Sequence, residues 1–248
     1  MLMTRTNDRK RRKNPVRLSG PERLYRTRLR QVAQQVGALV NGFPPGDPSA
    51  TPTIEQLLRR YAEALTPWAE ATAAQMLADV NRRDEQAWMT HAKELSRALQ
   101  QEIRSAPTGE TMRALMAEQV GLIKSIPIEA AERVHKLTIE GLESSSRASE
   151  ISKAIQASGE VAKSRADLIA RTEVARTASA LTEARALHVG SPGYIWKTSG
   201  DSDVRDSHRK MNGQFVRWDD PPTLDGMTGH AGQFPNCRCY PEPVIPED

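Results

Sequence analysis

The chain has 248 residues, of which 38% are hydrophobic, 27% charged and only 4% aromatic; that allows one or two ordinary domains and excludes an aromatic-lined cleft running through the chain. No run approaches the 18 apolar residues of a membrane span, the basic N-terminus lacks the apolar stretch of a signal peptide, and two cysteines cannot build a disulfide framework, so a reduced, intracellular chain with no membrane segment is expected. The net charge of +4 is uneven: residues 1–30 hold eleven Lys or Arg against Asp8 and Glu22, a local +9 that leaves −5 on the other 218 residues.

Residues 1–18 read as a basic disordered arm. Its run of Arg9, Lys10, Arg11, Arg12 and Lys13 suits a polyanion or an acidic protein surface, and equally a solvated tail. Residues 19–146 carry helix signals. Ser19 and Glu22 form a capping box with Pro21 in the first turn, and Tyr25, Leu29, Val32, Val36 and Leu39 recur behind them at helical spacing until Asn41-Gly42. Thr53 and Gln56 form a second box, with Ile54, Leu57, Leu58, Tyr61 and Leu65 on one face. Pro67 kinks or restarts the next helix, which Trp68, Thr72, Met76 and Val80 continue. Trp88, His91, Leu95 and Leu99 suggest another stripe. Pro107-Thr108-Gly109 is a break. Met112 to Ile123 predict a short helix ending near Pro127, followed by a second over 128–142, a Ser-rich turn at 144–146 and a short helix over 147–157.

The clearest long helix is 160–188, proline-free and stopped by Gly190. Its Arg171, Glu173, Arg176, Glu183 and Arg185 are either solvated charges paired at i,i+3, or, for Arg171 and Glu173, groups that dock on the C-terminal residues. From 189 the composition changes. Tyr194, Trp196, Phe215, Trp218, Phe234 and Tyr240 crowd into the last 55 residues, and aromatics supply large buried areas to small folds. Residues 194–197 and 213–218 read as strands. The fold class is therefore mainly α: a long helical body with a small α+β C-terminal module, divided as 1–18, 19–146 and 147–248.

The module's polar residues admit three readings. His208, His230, Cys237 and Cys239 offer two imidazoles and two thiolates, an acceptable zinc set, although Cys-x-Cys is tighter than the usual Cys-x-x-Cys. A non-metal fold would have Arg205 and His208 bonded to Asp201 or Asp203, with the cysteines packed as small apolar residues. Metal-assisted hydrolysis by the Asp and His groups is the third; no nucleophile elbow, phosphate-binding Gly loop or His-Glu-x-x-His helix accompanies it.

Ala170-Arg171-Thr172-Glu173, Tyr194-x-Trp196-Lys197-Thr198, Asp203-Val204-Arg205-x-x-His208, Met211-Asn212-Gly213 and Asn236-Cys237-Arg238-Cys239, in that order, resemble the phage head-morphogenesis domain, the family of the phage Mu F-like minor head protein. The resemblance covers about residues 147–243. It places Arg171, Glu173, Trp196, Asp203, Arg205, His208, Gly213, Cys237, Arg238 and Cys239 on the family's recurrent positions. Where this chain has Arg205 and His208, the family has a Cys-x-x-Cys variant. The resemblance implies a non-enzymatic minor capsid protein inside the phage head, assembled in the host cytoplasm. Its implied partners are the portal and the major capsid or scaffold protein, with packaged DNA as a further partner, and its implied roles are head assembly and DNA packaging or ejection. Two alternatives stand beside it: a family domain with toxin, effector or metal-dependent hydrolase activity, and an internal DNA-binding head protein acting through the arm.

Overall fold

Most of the helices lie where the sequence periodicity places them. The computed structural model describes residues 2–3, 14–44, 48–91, 97–143 and 148–246; the basic run from Arg9 to Lys13 and the Ser-rich segment 144–146 lie outside them. Strand β1 (Leu2–Met3) is followed by α1 (Ser19–Asn41), a 3-10 turn (Pro48–Ala50), α2 (Thr51–Ala64), α3 (Thr66–His91), α4 (Arg97–Ser105), α5 (Thr108–Glu143), α6 (Ala148–Gln156) and α7 (Ser158–His188). Then come β2 (Gly193–Lys197), α8 (Asp206–Met211), β3 (Phe215–Arg217), β4 (Thr223–Leu224), β5 (Met227–Thr228) and β6 (Tyr240–Pro246). The protein is mainly α with a small strand-containing C-terminal region, as the sequence predicts. No helix among the described residues is long and apolar enough to cross a membrane.

Two helix boundaries differ from expectation. α2 starts at Thr51, ahead of the Thr53-Gln56 box, and its N-cap Ala50 makes no side-chain cap hydrogen bond. Pro127 does not end a helix; it sits inside α5. Proline costs a helix one N–H bond and crowds the carbonyl four residues back. Here Ile123 and Ile126 before it, and Ala130, Ala131 and Val134 after it, are all buried, so apolar packing on both sides of the ring carries the helix across.

Two compact units divide the chain. One comprises residues 23–75 and 116–170 and is all helical. Tyr25, Leu29, Val36, Leu58, Ile126 and Ile169 are among its buried side chains. The Tyr25 hydroxyl donates to buried Gln119 at 3.0 Å, and Arg30 makes a two-pronged ion pair with Asp167, at 2.7 and 2.6 Å. Helices α1 and α7 approach at Gly37 and Gly159. A Cβ added to Gly159 would lie 2.9 Å from the Gly37 Cα, so that crossing admits no side chain.

The other unit comprises residues 1–22, 76–115 and 171–248. Helix α7 ends in it with a Schellman cap: the Ser191 N–H donates to the Ala186 carbonyl, the Gly190 N–H to that of Leu187, and Gly190 takes φ +76°, a conformation that favours glycine. The chain then enters a four-stranded antiparallel sheet of order β1-β6-β2-β3. β6 is the strand that local rules miss, because Tyr-Pro-Glu-Pro-Val-Ile-Pro reads as a non-strand. Its register resolves this. Lys197 faces Tyr240, Ile195 faces Glu242 and Gly193 faces Val244, so the residues with an N–H point at β2 while Pro241 and Pro243 point away from it. The short β4–β5 hairpin turns at Asp225-Gly226.

Tyr194, Trp196, Val216, Trp218, Phe234 and the two cysteines form the core here, joined by Trp88 from α3, Ile103 from α4 and Ala186 from α7. Beside it lies a buried charge pair. Asp84 of α3 is fully buried; it receives hydrogen bonds from the Thr182 hydroxyl at 2.5 Å and from Arg185 of α7, whose guanidinium also donates to Asn81 at 2.8 Å. Burial pushes the Asp84 carboxyl up to about 6, against the opposing pull of Arg185 and Thr182.

Chemical denaturation tests the glycine crossing and the buried charge pair. Gly159→Ala is expected to destabilise the chain by about 1–3 kcal/mol through overpacking, whereas Gly121→Ala, with open space around its Cβ, gains up to about 1 kcal/mol of helix propensity. Arg185→Met leaves Asp84 buried without its counter-charge and costs about 3–5 kcal/mol near neutral pH. A carboxyl whose folded pKa is raised holds its proton more tightly folded than unfolded, so stability falls as pH rises through that interval. Without Arg185 the Asp84 carboxyl is pushed higher still, so the loss in Arg185→Met shrinks as the pH is lowered toward about 6 and levels off below it.

Candidate metal centre

Two segments distant in sequence are drawn together at the far side of the sheet core. One is 201–208, leading into α8; the other is the turn 235–239. Arg238 reaches Asp203 at 3.0 Å and Asp201 at 3.2 Å, and Arg205 donates to the Pro235 carbonyl at 2.8 Å. Both links are at the surface, where ion pairs contribute little. Beneath them, α8 turns His208 inward. Its Nδ1 lies 3.5 Å from the Cys237 Sγ and 3.6 Å from the Cys239 Sγ, and the three donor atoms all fall within 4.8 Å of one another.

These distances carry chemical meaning. With Zn–S near 2.3 Å and Zn–N near 2.0–2.1 Å, the S···N edge of a tetrahedral site is about 3.6 Å. Both S···N separations therefore match an edge of a zinc tetrahedron. His208 is held there by rings: Trp196 stands edge-on to it at 5.5 Å and Phe234 at 4.8 Å between centroids. Its Nε2 is buried with no hydrogen-bond partner among the described residues. The Cys239 N–H points at the Cys237 Sγ at 3.4 Å. A hydrogen bond from the Cys239 thiol favours the Cys237 thiolate most, so Cys237 is pulled down to about 6 and Cys239 is pushed up by the same contact.

His230 lies apart from this trio. Its Nδ1 is 3.2 Å from the Tyr194 hydroxyl and its Nε2 is 3.8 Å from Glu183 of α7. The Ala231 N–H donates to the same hydroxyl at 3.1 Å, so Tyr194 passes its own proton toward His230. Burial raises Tyr194 and Glu183 and lowers His230, in each case disfavouring the charged form. The other residues singled out in the sequence scatter. Arg171 is exposed and 3.8 Å from Glu22. Glu173 is buried, 3.8 Å from Arg176. Trp196 is fully buried, and the Gly213 N–H donates to its carbonyl at 2.8 Å. Helix α7 meets the C-terminal residues at several points, among them Thr172, whose hydroxyl accepts from the Asn236 N–H at 3.1 Å, and Glu183, beside His230. Sequence reasoning assigns Thr172 no such role; the signal for it is its place between Arg171 and Glu173 in the 170–173 motif.

Residues 132–241 match the family described as Phage Mu protein F like protein. The chain carries a phage Mu F-like domain. His208, Cys237 and Cys239 all lie inside it, as do α7 and β2. A protein of Haemophilus influenzae, described as an uncharacterized protein, is 33% identical over 144 residues, which is 58% of this chain and 32% of the relative. The chain thus spans about a third of the length of the curated relative it matches. No solved structure matches it.

In the Mu F-like domain the Tyr194 hydroxyl satisfies two buried groups at once. Tyr194→Phe is expected to cost about 1–3 kcal/mol in urea unfolding, since the His230 ring and the Ala231 N–H both lose their partner.

Proposed function

We propose that this chain is a non-enzymatic minor head protein of a phage, residing inside the virion and associated with the portal during head assembly. The observation that carries the reading is the Mu F-like match over residues 132–241, which suggests head morphogenesis and other head components as partners. The burial of both thiols and of His208 favours a structural role over nucleophilic or hydrolytic chemistry, because no substrate reaches those atoms from solvent. We also infer zinc as the resident cofactor of His208, Cys237 and Cys239, since the S···N separations fit a tetrahedral edge and two thiolates with an imidazole suit that ion. The basic arm, Arg9 to Lys13, contacts packaged DNA through its phosphates, independently of sequence.

The test is mass spectrometry of heads purified from the phage or prophage that encodes the chain, with and without the intact gene. A few copies per head, with portal crosslinks, are expected; absence from purified heads overturns the reading. Replacing Arg9, Lys10, Arg11, Arg12 and Lys13 together by Gln is expected to abolish salt-sensitive DNA binding while leaving incorporation intact. Lost incorporation with unchanged DNA binding would make the arm a protein-docking element.

A further inference from the structure

The enclosure of the His208, Cys237 and Cys239 donors says more than their identity. They are 2%, 5% and 4% exposed. Trp196 and Phe234 flank the imidazole. Gly232 presses the 229–239 loop against α7 so closely that a Cβ there would meet the Cys239 carbonyl at 3.1 Å and the Ala175 carbonyl at 3.4 Å. A three-ligand zinc set serves catalysis when its remaining position opens on a cleft. Here the donors are covered by rings and by a loop with no slack.

Two segments separated by 28 residues also depend on this point. Beneath the surface links of Arg205 and Arg238, the trio joins α8 to the 237–239 turn from inside the core, beside the His208–Phe234 ring contact. An ion at the trio therefore replaces a long loop closure with a direct bridge.

We propose that the ion is a folding-linked staple: it enters before the 229–239 loop closes over α8, and it leaves only when that loop opens. The native protein then does not exchange metal with solvent. This rests on the zinc reading, and the two are separable by experiment.

The full-length chain, purified under reducing conditions without chelator, is analysed for metal by elemental analysis and then mixed with the chromophoric chelator 4-(2-pyridylazo)resorcinol. About one zinc per chain is expected. Release should be complete within mixing in guanidinium and at least about 100-fold slower in native buffer, tracking the unfolding rate. One zinc per chain released rapidly from the native protein overturns the staple and leaves the zinc reading intact. Metal-free protein that takes up no zinc when refolded with it overturns both. Because His208→Gln or Cys239→Ser could simply fail to fold, the wild-type chain is also refolded with zinc and with EDTA. Recovery of native tryptophan fluorescence with zinc alone supports the staple, and equal recovery in EDTA refutes it. Refolding with cobalt gives a second readout, in which a thiolate-to-cobalt charge-transfer band is expected and its absence counts against the site.

Discussion

Strand β2 is the constraint on which the C-terminal unit depends. It is bonded to β3 on one side and to β6 on the other, and its first four residues are all buried. Alternation along five residues then assigns the environment of each group. Tyr194 sends its hydroxyl to His230 and Ala231. Trp196 walls the imidazole of His208. Gly193 has no side chain because the Val216 carbonyl and the Phe215 ring occupy the space a Cβ would need. The polar chemistry of the module is arranged around a strand that is itself apolar.

Much of the fold was legible because helices are local. The start near Ser19, the stop at Asn41-Gly42 and the Gly190 terminator are each signalled within a few residues, and α1 spans Ser19–Asn41 and α7 ends at His188 accordingly. What failed was non-local. Pro127 reads as a breaker until the residues packed on either side are known, and β6 reads as a loop until β2 is known to lie on its N–H side. In both cases tertiary packing overrode a local rule that was correct in isolation.

The donor set was partly legible for the same reason. Cys237 and Cys239 are close neighbours in sequence, so their joint position needs no fold. Two histidines were available to complete them, and spacing offered no means of choosing. The structure brings His208 to the thiols and leaves His230 with Tyr194, because α8 and the 229–234 loop approach β2 at different residues. Motif groups Arg171, Glu173, Asp203, Arg205 and Arg238 in the sequence; in space Asp203, Arg205 and Arg238 serve one junction, while Arg171 lies beside Glu22 and Glu173 is buried beside Arg176.

The alternating prolines of β6 have an effect outside the sheet they complete. A foreign strand laid along residues 241–243 would find carbonyls to accept from it and no N–H to give in return, so half of every ladder rung would be missing. Copies of this chain held close together are thereby discouraged from joining edge to edge into a continuous sheet. The same residues that hide the strand from a reader of the sequence hide it from other strands.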